Sequence, residues 1–412
     1  MEFIADFHIH SKYSRATSRD MDIKHLAQWA KLKGITLMGT GDFTHHLWLE
    51  ELKGNLEDLG NGLFKYQDVY FILTTEISSI YSKNGRGYRV HNMVFSPSFK
   101  TTDKINATLA RCGNLASDGR PILGLDASEL ARIVFDIDEN CMVVPCHIWT
   151  PWVSVFGSMS GFDRIQDCFE GQTAKIFALE TGLSSDPAMN WRLSALDRFT
   201  LISNSDSHSP AKIGREANVF DCELDYKTIR EVLATKDKKR FLYTIEFFPE
   251  EGKYHFDGHR LCGTRLSPKE TKQGNGKCPK CGKSVTVGVM NRVEQLADRP
   301  EGYTPSNAIP YKNLIPLDEI VAEAKGIGKA SAAVERDYHA CLAKFGTEFD
   351  ILLRASAEEL RKGLPPRIAE GVLRVRQGKV NIKAGYDGEY GIISIFGEED
   401  KKEEGEKQLS LF

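Results

Sequence analysis

Seven short apolar runs punctuate the first 248 residues, and stretches with helical periodicity lie between them. The runs are MEFIADFHIH, ITLMGTGDF, VYFILTTEIS, YRVHNMVFS, CMVVPCHIW, IFALETGL and TLISNSDSH. Between the first two, MDIKHLAQWAKLKG reads as an amphipathic helix closed by Gly34. Strands alternating with helices leave few architectures, and parallel strands closed into a barrel are expected. Such a barrel carries its functional groups at the carboxyl ends of its strands. Those ends hold His8, His10, Asp42, Glu76, His91, His147, Asp206 and His208. In His8-x-His10 the two-residue period of a strand aims both imidazoles into one space. Any one of these residues reads equally as a polar cap on a strand end. Together they include five of the chain's eleven histidines, and bound cations would neutralise the carboxylates and engage the neutral imidazoles.

The chain has 412 residues, 41% hydrophobic and 27% charged, which allows two or three domains. No apolar run approaches the about 20 residues of a membrane span, and the first residues show neither a basic leader nor a small-residue cleavage site. A cytoplasmic protein with no membrane partner is expected. Cys112, Cys141, Cys146, Cys168, Cys222 and Cys341 follow no pairing pattern and read as reduced core thiols. With 54 Lys+Arg against 57 Asp+Glu the formal charge is −3, so any surface for nucleic acid must be local.

The stretch HIHSKYS, Glu76 on a strand end, His91, His147 and the terminal SDSH resemble the polymerase-and-histidinol-phosphatase (PHP) family over roughly residues 1–248. The resemblance implies a distorted seven-stranded (β/α) barrel with a three-metal phosphoesterase centre. Carried over by position, His8, His10, Glu76 and Asp206 hold one metal, and Glu76, His91 and His147 a second. His208, Asp42 and another group hold a third. The chain departs from the family at GTGDFTHH, where Phe43 replaces a histidine, so His45, His46 or Asp20 would complete the third site. Asp20 reads equally well as the N-cap of the helix starting near Met21. Such a centre suits phosphodiester hydrolysis. Zinc, two or three ions, fits the imidazole-rich ligands, and manganese, iron or magnesium also fit.

Residues 249–304 form a second unit. HRLCGTRLSP and CPKCGKSVTV repeat one pattern, giving His259, Cys262, Cys278 and Cys281 as a closed Cys3His structural zinc site in a zinc-ribbon-like module. His255 is the competing imidazole but lies out of phase with the repeat. Residues 252–300 carry ten Lys+Arg against four Asp+Glu, which suits a polyanion groove as well as a solvated lysine-rich surface.

Residues 305–397 read as a helical domain. LDEIVAEAKGIGKASAAVERDYHACLAKFG is helix, tight turn, helix, with Gly326 and Gly328 at the turn. It resembles the helix-hairpin-helix of DNA-repair proteins, in which glycines let backbone N–H groups approach a phosphate; Lys329 adds charge. An ordinary helical connector is the alternative. Beyond it, LPPRIAEGVLRVRQG and GYDGEYGIISIF read as a further helix and a hairpin. Residues 398–412 turn acidic, a composition expected to stay disordered, and end in QLSLF. Gln408, Leu409, Leu411 and Phe412 resemble the pentapeptide by which bacterial proteins bind the replisome's sliding clamp.

In this order the barrel, zinc knuckles, hairpin and GYDGEYG resemble the endonuclease Q family nearly end to end. The resemblance implies a nucleoid-associated DNA-repair endonuclease that nicks 5′ of uracil, hypoxanthine or xanthine, and at abasic sites. Reading a damaged base requires extruding it into a pocket. Candidates to line that pocket are Trp149, Trp152 and Phe156 after His147, and Asn190, Trp191 and Arg192; barrel-rim packing is the alternative for each tryptophan. Lys12, Arg15 and Arg19 are candidate phosphate contacts. A small-molecule phosphatase and a non-catalytic, clamp-associated DNA-binding module are the competing readings.

Overall fold

Each of the seven apolar runs contains a strand: Glu2–Asp6, Leu37–Gly39, Val69–Lys83, Arg86–Ser96, Met142–Pro145, Ala178–Glu180 and Thr200–Ile202. The structure is a computed structural model and describes residues 1–397; the clamp-peptide reading of Gln408 to Phe412 lies outside the described residues. Glu2–Asp6 runs parallel to Leu37–Gly39, which runs parallel to Val69–Lys83. There the expected parallel order breaks. The chain turns at Asn84 and Gly85, both at positive φ, and Arg86–Ser96 returns antiparallel from Lys83↔Arg86 to Leu73↔Ser96. A two-residue Asn-Gly turn suits the twist of a hairpin and can join only antiparallel neighbours. Met142–Pro145 continues the antiparallel order, while Ala178–Glu180 and Thr200–Ile202 pair parallel with each other. A bridge between Ile9 and Ser207 brings the last of these strands back to the first.

Outside this set, Ala217–Asp221 lies antiparallel to Glu2–Asp6, Phe241–Glu246 antiparallel to Ala217–Asp221, and Tyr311–Asn313 parallel to Phe241–Glu246. The whole is a mixed α/β fold around an eleven-stranded sheet. Tyr311–Asn313 belongs to that sheet although its segment reads in sequence as helical domain. Among the described residues no helix is long and apolar enough to cross a membrane.

Alternation places Phe3, Ala5 and Phe7 in one core, where Phe7 meets Phe95 edge-on at 5.5 Å and Phe3 stacks on Phe220 at 5.4 Å. His8 and His10, separated by buried Ile9, extend the same strand beyond its last ladder residue. Helix Ile23–Lys33 begins where the Asp22 side chain accepts from His25 N, and ends at Gly34 with φ 88°. Asp22, not Asp20, is therefore the cap. Helices Leu317–Lys325, Ala332–Phe345, Ala357–Gly363 and Pro366–Arg376 share a continuous core with the helices around the sheet.

Glu246, at the end of its strand, is fully buried and accepts from Thr244 Oγ1 at 2.5 Å and from Thr181 and Ser203 Oγ at 3.1 Å each. Burial, reinforced by Asp186, pushes its carboxyl from the usual 4.5 up to about 8. The unfolded chain releases this proton at lower pH than the folded one, so the penalty is absent below about pH 4.5, grows as pH rises and is complete above about pH 8. Glu246→Gln is expected to leave stability in acid unchanged and to raise the melting temperature progressively up to pH 8. A gain or loss of the same size at every pH would contradict this.

Candidate metal centre

Two carboxylates determine how the first imidazoles point. His8 Nδ1 lies 2.9 and 3.0 Å from the Glu180 oxygens, and His10 Nδ1 lies 3.0 Å from Asp42 Oδ1. Glu180 is held in turn by Asn204 Nδ2 at 2.8 Å and the His147 N–H at 2.9 Å. Asp42 Oδ2 accepts from Ser11 N, Ser11 Oγ and Ser14 Oγ at 2.6, 2.7 and 2.9 Å. With both Nδ1 atoms engaged, both Nε2 atoms face a common point. His10 Nε2 is 3.2 Å from Glu76 Oε2 and 3.1 Å from Asp206 Oδ1; His8 Nε2 is 3.6 and 3.7 Å from the same two oxygens.

On the other side of Glu76, its Oε1 lies 2.6 Å from His91 Nδ1 and 3.1 Å from His147 Nε2. One carboxylate thus joins two groups of ligand atoms, His8–His10–Glu76–Asp206 and Glu76–His91–His147. Within them His8 Nε2, His10 Nε2, His91 Nδ1 and Asp206 Oδ1 are buried without a hydrogen-bond partner. Buried polar atoms are rarely left so, and nitrogen and oxygen lone pairs converging at this spacing fit divalent cations. Burial disfavours charge on His8 and His10, but Glu180 and Asp42 respectively outweigh it and hold both pKa values well above the ordinary one. Cation binding must then displace protons. Asp42, His147 and Asp206 all have positive φ, a costly conformation for residues other than glycine that the surrounding structure enforces.

Six of the eight expected strand-end residues fall in these two groups and a seventh, Asp42, stands behind one of them, with corrections. Glu76 and His91 lie in mid-strand, because the hairpin that carries them runs past the cluster. Asp42 orients His10 instead of joining a ligand group. The expected third site is not assembled among the described residues. His208 stands at the rim with its ring 4.5 Å from that of His10, and His45 is stacked between Tyr13 at 4.5 Å and exposed His46 at 5.1 Å. Asp20 is exposed and joins no ligand group. Sequence reasoning missed Glu180, although it ends the strand Ala178–Glu180 and satisfies the strand-end rule; it also took Cys146, within reach of His8 and Glu180, only for a core thiol. Glu180→Gln is expected to weaken metal binding about 10- to 100-fold, measured by chelator competition, by loosening the His8 tautomer.

Further along the chain, His259, Cys262, Cys278 and Cys281 form one group of four potential ligand atoms, with Cys281 Sγ 3.7 Å from His259 Nδ1. His255 is buried apart from them, and burial lowers its pKa to about 4.

The expected base-reading residues divide. Trp149 is buried and its Nε1 donates to Asn190 Oδ1 at 2.8 Å; Phe156 is buried beside it. Arg192 pairs with Glu294, and Trp191 packs edge-on against Tyr311 at 5.6 Å. These side chains join loops together and are not free to read a base. Trp152, 45% exposed, instead lines a cavity of about 600 Å³ with Thr150, Ser184, Lys212, Arg215 and Lys329. The cavity thus draws on loops after three strands of the cluster and on the helical hairpin. There Gly326 ends the first helix at φ 63°, Ser331 caps the second, and Gly328 lies between, where an added Cβ would meet nothing within 4 Å. Lys329 is paired with Asp318 and Glu319 at 3.1 and 2.6 Å. Lys12 pairs with Glu51 at 2.9 Å, and Arg15 and Arg19 are exposed.

Residues 316–379 match the family described as the MJ0043 C-terminal domain. The uncharacterized protein MJ0043 of Methanocaldococcus jannaschii is 36% identical over 254 residues, 60% of this chain, and the aligned region spans about a third, 31%, of that longer protein. The uncharacterized protein YqxK of Bacillus subtilis is 29% identical across 94% of this chain and 98% of its own length. The crystal structure of the lesion-specific endonuclease PfuEndoQ from Pyrococcus furiosus superposes with a TM-score of 0.87 at 32% identity, covering 98% of this chain and 97% of that one. Endonuclease Q in complex with a 27-mer duplex substrate, an abasic lesion at its active site, superposes at 0.84 and 32% identity, covering 97% and 98%. The mixed α/β fold is therefore that of a class of lesion-specific DNA endonucleases. The chain belongs to the endonuclease Q family.

Proposed function

We propose that this protein is a metal-dependent DNA-repair endonuclease that hydrolyses the phosphodiester 5′ of deaminated bases (uracil, hypoxanthine and xanthine) and of abasic sites. The observation that carries this reading is the convergence of unpartnered donor atoms from His8, His10, His91 and Asp206 around the single carboxylate of Glu76. His8, His10, Glu76, His91, His147 and Asp206 would hold the cations, zinc being the first candidate, which would supply positive charge and Lewis acidity for a phosphodiester and for water. Glu180 and Asp42 keep His8 and His10 in the tautomers that aim Nε2 inward, and buried Ile9 and the hairpin keep the ligands in place.

Residues 1–248 are read as the distorted seven-stranded barrel, 249–304 as the zinc module, 305–397 as the helical DNA-binding domain and 398–412 as the clamp-binding tail. The basic zinc module and the hairpin around Gly326, Gly328 and Lys329 grip duplex backbone, which keeps the protein at the nucleoid. The cavity beside Trp152 receives the extruded nucleotide. Stacking on one aromatic ring contributes about 1–3 kcal/mol per base, so Trp152→Ala is expected to lower kcat/KM for a uracil duplex about 10-fold at unchanged metal content.

The test uses labelled duplexes with a single uracil, hypoxanthine or abasic site, an unmodified duplex and a simple phosphomonoester. Cleavage confined to the damaged duplexes is the expected result. Phosphate release from the monoester alone points to a small-molecule phosphatase, and binding without product to a DNA-binding module; either outcome refutes the proposal.

A further inference from the structure

Asp118-Gly119-Arg120 forms part of the wall of the cluster. Gly119 N donates to the Tyr13 carbonyl at 3.1 Å, and its own carbonyl accepts from Thr44 Oγ1 at 3.3 Å. A Cβ on Gly119 would lie 2.3 Å from Asp42 Oδ2 and 2.4 Å from Ser14 Oγ, so only glycine lets this segment close against the side chains that orient His10. On the other side, Ser78 N donates to the Pro121 carbonyl at 3.0 Å, tying the segment to the strand that carries Glu76. Arg120 N also donates to Asp118 Oδ1 at 3.2 Å. With its backbone held on both sides, Arg120 reaches Glu76 Oε2 through Nη1 at 3.1 Å.

Glu76 is the carboxylate shared by both ligand groups and is completely buried, whereas the Arg120 side chain is 31% exposed. The guanidinium therefore spans the wall from the cluster to solvent. Its contact with Glu76 uses one of five N–H donors, and the others remain for a ligand on the open side. A planar fork anchored along one edge is preorganised for a phosphate oxygen, and its charge counts most in a site that excludes water.

We propose that Arg120 is a further catalytic residue, which binds a non-bridging oxygen of the scissile phosphodiester while Glu76 holds the guanidinium in place. This inference rests on the phosphoesterase reading of the same cluster. The alternative is that Arg120 only neutralises Glu76, in which case its removal would disturb metal binding. The experiment compares metal-loaded wild type, Arg120→Ala and Arg120→Lys by elemental analysis, melting temperature, affinity for an abasic duplex, steady-state cleavage and calorimetric titration with inorganic phosphate. Metal content, melting temperature and duplex affinity are expected to stay within about twofold of wild type. In Arg120→Ala, kcat should fall about 100- to 1000-fold with little change in KM, recover in part with added guanidinium but not ammonium, and inorganic phosphate should bind at least about tenfold more weakly. Arg120→Lys should be intermediate. Loss of metal in parallel with activity, or kcat within about threefold of wild type, overturns the proposal. If wild type itself cleaves no duplex, the functional reading fails separately, and the arginine is judged on phosphate binding alone. Equal affinity for phosphate in wild type and Arg120→Ala then overturns it.

Discussion

Glu76→Gln is expected to abolish cation binding at the histidine–carboxylate cluster and to reduce cleavage of a damaged duplex by at least about 1000-fold while the fold persists. The glutamate is buried with His8, His10, His91 and His147 around its two oxygens, and His91, then Arg120 and His8, hold its pKa well below the usual value against the cost of burial. The amide has nearly the same shape but lacks the charge, and turns an N–H2 group toward nitrogens that must donate lone pairs. Because one side chain serves both groups, both should lose affinity together. Elemental analysis should then find only the ion held by His259, Cys262, Cys278 and Cys281. His8→Ala or Asp206→Asn should damage the first group more than the second, and likewise abolish turnover. Turnover by Glu76→Gln near the wild-type rate, at wild-type metal content, would remove the two-group description of the site.

The second large effect concerns stability. Lys33 Nζ lies 2.7 Å from Glu348 Oε2, and both side chains are 4% exposed. Tyr338 OH donates to the same oxygen at 2.8 Å, and Leu317 N donates to Oε1 at 3.0 Å. The pair joins the helix that follows the His8/His10 strand to the start of one hairpin helix and the end of the other. Glu348→Ala leaves a buried ammonium, a phenol and a backbone N–H without an acceptor, and is expected to cost about 3–5 kcal/mol in denaturant unfolding. Replacing both charges, Lys33→Met with Glu348→Leu, removes the unpaired ion and should recover part of that loss, the Tyr338 phenol and the Leu317 N–H still lacking their acceptor. A single substitution costing under about 1 kcal/mol would show that the pair does not fasten these elements together.

Seven strands, the helix capped at Gly34 and the Cys3His set were legible because each depends on local spacing: two-residue alternation, 3.6-residue periodicity and a repeated knuckle. Hydrogen-bond direction was less so. Asn84-Gly85 marks an antiparallel hairpin, but two separately read apolar runs concealed it, and with it the mid-strand positions of Glu76 and His91.

The roles of individual polar side chains were harder still. Trp149, Asn190 and Arg192 have the composition of a base-reading loop, yet they satisfy one another or neighbouring segments in the interior, and only Trp152 faces the cavity. Glu180 and Arg120 reach the cluster from segments far from His8 in the chain; Glu180 at least ends a strand, whereas nothing near Arg120 in sequence marks the meeting.

Local order along the chain therefore determined which residue types lie on or just beyond the strands and which four residues, His259, Cys262, Cys278 and Cys281, come together. Tertiary structure alone decided that Asp42 and Glu180 stand behind the imidazoles, that Glu76 joins two ligand groups and that Arg120 opens one edge to solvent. Alternation and periodicity act over a few residues, whereas a carboxylate's role depends on which distant lone pairs or N–H groups share its burial, and only the folded chain brings those together.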